Sequence, residues 1–128
     1  MEYTELAGSL IIENEKILLL YREDEGYWEV PGGKVEGEES PTEAAVREAR
    51  EEIGVELELR KPFYTGEFEH DGTLFLWHCY LAETSEEPEL KEEKFGKLEW
   101  FNGSELDELD LAPNLEMVLP ALRKLGRK

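Results

Sequence analysis

Residues 40–54, SPTEAAVREAREEIG, constrain the fold more than any other part of the chain. Ser40 and Glu43 form a capping box with Pro41 at the first helical position. The serine oxygen can accept from the amide of Glu43, and the glutamate side chain can reach back to Ser40. Ala44, Ala45, Val46 and Ala49 let a helix propagate, and Gly54 supplies a left-handed stop. One helix from Pro41 to Ile53 is predicted.

At about 100° per residue, Glu48 and Glu52 lie one turn apart and Glu51 lies one turn from Glu48 on the other side. Three carboxylates then converge on one stripe. Ala45, Ala49 and Ile53 fall on a neighbouring stripe, which can be buried while the carboxylates face a cleft. Like charges at this spacing destabilise an isolated helix by roughly a few tenths of a kcal/mol per pair, so the arrangement calls for compensation. A hard divalent cation such as Mg²⁺ takes oxygen ligands and leaves room for substrate phosphates and water. A solvated acidic face is the plainer alternative in a chain this rich in glutamate. Arg47 weighs towards an organised site, because it can pair with Glu43 or Glu51 and fix the direction of a carboxylate.

Around this helix the pattern is that of strands. Leu6 to Ile12 and Lys16 to Tyr21 are apolar runs separated by Glu13-Asn14-Glu15, which reads as two strands joined by a tight turn. Leu18, Leu19 and Leu20 are consecutive, as in a strand covered on both faces. Tyr27 to Val30 is a short strand that ends where Pro31-Gly32-Gly33 turns the chain. Val55 to Arg60 alternates like a strand, and Phe63 to Glu69 and Thr73 to Ala82 flank His70-Asp71-Gly72, whose Asp-Gly pair favours a hairpin. Glu86 to Lys97 is charged, contains Pro88 and reads as a mobile loop. Leu98 to Phe101 makes a last strand, and Ser104 caps a short helical turn through Leu109. Pro113 opens a closing helix with Leu115, Val118, Leu119, Leu122 and Leu125 on one face. The expectation is an α/β fold, a mixed β-sheet between helices. With 128 residues, the chain is read as a single domain over 1–128, large enough to hide about two thirds of its unfolded surface.

Charge narrows the partners. The chain carries 14 Lys+Arg against 32 Asp+Glu, a formal net charge of -18. Such a surface repels phosphate backbones, which disfavours polymeric nucleic acid and anionic membranes. Cys79 is the only cysteine, so no internal disulfide forms and a reducing compartment fits best. Met1 to Glu5 lacks the basic segment and apolar run of a signal peptide, and no apolar stretch approaches about 18 residues. A cytoplasmic location is expected.

The segment from Gly33 to Val55 resembles the Nudix box, G-x5-E-x7-R-E-U-x-E-E-x-G-U with U a bulky apolar residue. Gly33, Glu39, Arg47, Glu48, Glu51, Glu52, Gly54 and Val55 match, while Ala49 is smaller than the usual U. The resemblance implies a Nudix hydrolase, an α/β/α sandwich that cleaves a nucleoside diphosphate linked to another moiety with Mg²⁺ or Mn²⁺. It implies Glu48, Glu51 and Glu52 as metal carboxylates, Arg47 as the residue that orients them, and Glu39 as a brace between loop and helix. The carbonyl of Gly32 or Gly33 would add a ligand. The chemistry agrees, since attack on a polyphosphate needs charge neutralised on its oxygens and a water made nucleophilic. A general base would come from the box or from a later loop, where Glu89, Glu92 and Glu93 stand.

His70 and His78 have no Cys or His partner at metal spacing, which argues against zinc. Trp28, Trp77 and Trp100 read first as core residues, with Trp28 the best placed to stack a base. Asn114 sits where MutT-like enzymes carry an Asn or Asp that reads the base, and it can equally be an ordinary residue at a helix start. By elimination, a MutT-like nucleoside triphosphate pyrophosphohydrolase leads, with a small-molecule nucleotide as its partner. The alternatives are an ADP-ribose or dinucleoside polyphosphate hydrolase, and a catalytically silent domain that senses a nucleotide.

Overall fold

A computed structural model of the chain describes residues 2–125. The predicted helix forms as α1 (Pro41–Ile53). Ser40 Oγ accepts from the Glu43 amide at 3.1 Å and Glu43 Oε1 accepts from the Ser40 amide at 2.9 Å, a cap worth about 1 kcal/mol. Gly54, at φ 71°, ends the helix and donates to the carbonyls of Ala49 and Arg50.

The strands are β1 (Thr4–Glu13), β2 (Lys16–Arg22), β3 (Tyr27–Glu29), β4 (Gly32–Lys34), β5 (Glu58–His70), β6 (Thr73–Glu83) and β7 (Phe95–Asn102). They form one seven-stranded sheet ordered β3-β2-β1-β6-β5, with β4 paired to β1 and β7 to β2. β1 and β6 run parallel and the other pairs antiparallel, so the sheet is mixed.

Alternation along β2 divides the core between two faces. Leu18 and Leu20 pack with Ile11, Ala49, Ile53 and Phe95 on the α1 side. Ile17 and Leu19 point the other way, into a cluster with Trp28, Trp77, Phe101, Leu115 and Val118. That second face is covered by a 3-10 helix over Gly103–Glu108 and by α2 (Pro113–Glu116) and α3 (Leu119–Leu125). The architecture is therefore the α/β/α sandwich, and the apolar run at Leu18 to Leu20 is the strand buried on both sides.

Several details differ from the sequence reading. Gly32 and Gly33 turn the chain and also pair with β1, because without side chains they can lie against Gly8 and Ala7. β5 is one long strand that absorbs Lys61 and Pro62 through two irregularities in its register with β6. Asn102, not Ser104, occupies the cap position of the 3-10 helix, and Glu105 reaches back to its amide. The closing helix is divided, since Pro120 has no amide to donate to the preceding turn. Leu115, Val118 and Leu122 are buried, whereas the side chain of Leu125 lies outside the described residues. Residues 86–94 lack regular structure but are anchored: the amides of Glu89 and Lys91 donate to the carbonyls of Ile53 and Glu52, the open acceptors at the end of α1. Phe95 to Lys97 belong to β7. No helix among the described residues is long and apolar enough to cross a membrane.

The β1–β2 turn places Asn14 at φ 53° and Glu15 at φ 66°. Asparagine tolerates this region, but glutamate is strained there, and Asn-Gly is the favoured pair for such a turn. Replacing Glu15→Gly should raise stability by about 0.5–1 kcal/mol in urea unfolding. A variant less stable than the parent would contradict this account of the turn.

Candidate active site

Of two neighbouring carboxylates of α1, Glu48 lines a cleft and Glu52 is buried behind it. Glu52 is completely buried: Oε1 accepts from the amide of Gly32 at 3.0 Å, while Oε2 has no hydrogen-bond partner among the described residues. The ammonium of Lys94 stands 3.8 Å from that oxygen. Glu48, one turn earlier, is also buried, and its carboxylate lies against Gly33. A Cβ at position 33 would come within 2.4 Å of Glu48 Oε2, so only glycine leaves the carboxylate its place.

Arg47 ties the helix to the loop before it. Its guanidinium donates to both oxygens of Glu39 and, at 2.9 Å, to the carbonyl of Lys34. It also reaches Glu48 Oε2 at 3.2 Å and Glu51 Oε1 at 3.0 Å. Glu39 in turn accepts from the amide of Glu36, which closes the loop onto itself. Glu43 is engaged in the helix cap and makes no contact with Arg47. Glu51 follows the helix phase but not the cleft, since its carboxylate turns towards Arg47 and remains half exposed. Among the described residues, accordingly, no three His, Cys, Asp or Glu side chains are gathered to hold a metal; of the stripe, Glu48 and Glu52 are the two buried carboxylates.

Burial dominates the electrostatics. It pushes the carboxyl of Glu52 well above the ordinary carboxylate range, and neighbouring Glu48 adds to the shift. Burial likewise raises Glu48, against the pull of Arg47. Desolvation also pushes the carboxyl of Glu29, partly exposed on β3, up to about 7, although Arg22 lies 3.7 Å away.

The cleft has a volume of about 410 Å³. Glu29, Glu36, Glu48, Gly32 and Gly33 line it, together with the cations Arg22, Lys34 and Lys94. Tyr27, Phe68, Phe75 and Trp77 supply its aromatic surface, with Phe68 and Phe75 stacked at 5.0 Å. Asn114 and His70 also reach the cleft. Trp28 does not: its ring is buried between Tyr21 and Phe101, while its backbone exchanges hydrogen bonds with Asp110 and Ala112. That main-chain pairing positions Pro113 and Asn114. His78 is held by Glu5 at 2.9 Å, Cys79 is buried, Glu89 pairs with Lys91 in solvent, Glu92 lies 3.5 Å from Lys94, and Glu93 is exposed.

Glu29 and Lys94 were not singled out from the sequence. Glu29 carried a signal, a carboxylate between Trp28 and Val30 in a predicted strand, with its side chain on the opposite face from theirs. Lys94 carried none, because nothing in residues 86–97 betrays that they dock on the end of α1.

A mixed sheet between helices, with buried glutamates under a cation-lined cleft, defines a hydrolase of phosphorylated small molecules of the Nudix type. Residues 4–122 match the family model for the NUDIX domain, and the chain belongs to the Nudix hydrolase family, which acts on phosphoanhydride bonds and generally uses divalent metals such as Mg²⁺. It is 33% identical over 123 residues to an 8-oxo-dGTP diphosphatase of Escherichia coli, spanning 92% of this chain and 94% of that protein. An uncharacterized Nudix hydrolase of Bacillus subtilis, YvcI, is 27% identical over 97% of this chain and 82% of its own length. Among solved structures, a MutT NUDIX hydrolase from Burkholderia pseudomallei superposes with a TM-score of 0.83 at 28% identity, covering 96% of this chain and 98% of that one.

The Glu29 carboxyl yields a pH dependence. Its folded pKa, about 7, lies above the ordinary 4.5, so between these values the folded state holds a proton that the unfolded state has released. Stability should therefore fall as pH rises from about 4.5 to 7 and level off beyond. In urea unfolding with a chelator present, Glu29→Gln should gain on the parent as the pH is raised through that window. A difference that is the same at pH 4.5 and at pH 7.5 would show that Glu29 does not titrate in this way.

Proposed function

We propose that the chain is a Mg²⁺- or Mn²⁺-dependent nucleoside triphosphate pyrophosphohydrolase of the MutT type, a single catalytic unit over residues 1–128 that acts in nucleotide-pool housekeeping. The observation that carries this reading is the unpartnered oxygen of Glu52, buried beside Glu48, which lines a cleft together with Asn114. An oxygen that neither protein nor solvent satisfies is costly to bury, and a divalent cation is the partner a pair of carboxylates best accommodates. The oxygen donors and the space beside Gly33 fit such an ion. Glu48 and Glu52 would hold it, with the carbonyl of Gly32 or Gly33 as a further oxygen and Glu51 recruited from the rim. When bound, the ion neutralises charge on the phosphate oxygens and makes a water nucleophilic.

The chain's own residues do the rest. Arg47 holds Glu48 and ties the helix to the loop through Glu39, so the carboxylates are held in place before substrate arrives. Arg22, Lys34 and Lys94 offer cations to the phosphate end of the substrate within the cleft. The aromatic side chains Tyr27, Phe68 and Phe75 offer faces for a base. Asn114 presents a donor and an acceptor, enough for two hydrogen bonds to a base edge. The similarity to an 8-oxo-dGTP diphosphatase supports a nucleoside triphosphate as substrate.

Two variants test separate halves of the proposal. Glu52→Gln should lower kcat by about a hundredfold or more while the far-ultraviolet circular dichroism stays that of the parent; near-normal turnover in saturating Mg²⁺ would remove Glu52 from the site. Asn114→Ala should lower kcat/KM by about ten- to a hundredfold, unequally between a purine and a pyrimidine triphosphate, with metal dependence unchanged. Equal losses for the two bases would make Asn114 a structural residue.

A further inference from the structure

The segment that follows β6 approaches Glu52 twice. Its backbone is fixed first, by the amide of Lys91 on the carbonyl of Glu52. Three residues later the side chain of Lys94 enters the cleft, where its ammonium lies 3.8 Å from Glu52 Oε2 and 3.5 Å from Glu92 Oε1. Glu52 Oε2 is the oxygen with no hydrogen-bond partner among the described residues, in a carboxylate that is entirely buried. The side chain of Lys94 is 43% exposed, and its ammonium also lies 5.1 Å from the Phe95 ring centre. A lysine on a flexible stem is the cation best suited to come and go.

We propose that Lys94 is a resident counter-ion of the buried carboxylate pair, which withdraws from Glu52 when a divalent cation binds and so limits how tightly the site holds that cation. The inference rests on the reading that Glu48 and Glu52 are the cation's ligands. A divalent cation on Oε2 and an ammonium 3.8 Å from that oxygen would repel each other, so cation binding drives the lysine off its contact. The energy of that contact is subtracted from the apparent affinity. A partly exposed ion pair of this kind corresponds to a factor of about two to five in a binding constant.

The test is the dissociation constant of Mn²⁺ for the whole chain, stripped of metal, with free Mn²⁺ counted by electron paramagnetic resonance. Lys94→Met should tighten binding about two- to fivefold, and Lys94→Arg, which keeps the charge, should stay near the parent. Lys97→Met removes one positive charge away from the cleft, over the Tyr21 ring, and should change binding less than twofold. Equal tightening at positions 94 and 97 would reduce the effect to net charge and overturn the proposal, as would unchanged or weaker binding in Lys94→Met. Failure of the underlying reading has its own signature: parent and Glu48→Gln/Glu52→Gln double variant would then bind Mn²⁺ equally.

Discussion

The structure is organised around a carboxylate pair that the protein buries without fully neutralising. Among the described residues, Glu52 has one hydrogen bond, from Gly32, and Glu48 shares Arg47 with two other glutamates. Burying charge in this way is costly, and the cost has to be met by the surrounding fold or by a ligand. The capped helix, the glycines of β4 against β1, and the loop clamped by Arg47 and Glu39 all hold the two carboxylates in place, Glu52 away from solvent and Glu48 at the lining of the cleft. Residues 86–94 complete the enclosure from the open end of α1, adding Lys94 as a cation.

The same constraint explains how an acidic chain accommodates an anionic substrate. A net charge of -18 repels phosphates at long range, but the cleft gathers Arg22, Lys34 and Lys94 within about 410 Å³. Attraction is thus local and short-ranged, of the kind that survives screening, and a bound divalent cation would add to it. The acidic exterior disfavours long polyanions, while a small nucleotide needs only the interior of the cleft.

Much of this was legible in the sequence, and the limits have physical causes. The capping box, the terminal glycine and the consecutive leucines act within a turn or a strand, so α1, the β1–β2 turn and the doubly covered strand follow from local rules. The spacing of Glu48, Glu51 and Glu52 gives a common stripe but not a common destination: Glu51 is drawn out by Arg47, a competition that helical phase does not express. Trp28 lies in the core because β3 turns its indole towards Phe101 and leaves the cleft to Tyr27 and Glu29. Lys94 and the anchoring of residues 86–94 depend on carbonyls some 40 positions earlier in the chain, a long-range contact that charge and proline content alone misread as mobility.

The central claim is that the buried pair, and not the acidic surface at large, is where a divalent cation belongs. Anomalous scattering from crystals grown with Mn²⁺ addresses it directly. The account predicts a peak bonded to carboxylate oxygens of both Glu48 and Glu52, at the roughly 2.0–2.2 Å expected of small hard cations, beside the Gly33 backbone. Peaks confined to surface glutamates, with the buried pair empty and Lys94 still on Glu52, would contradict it.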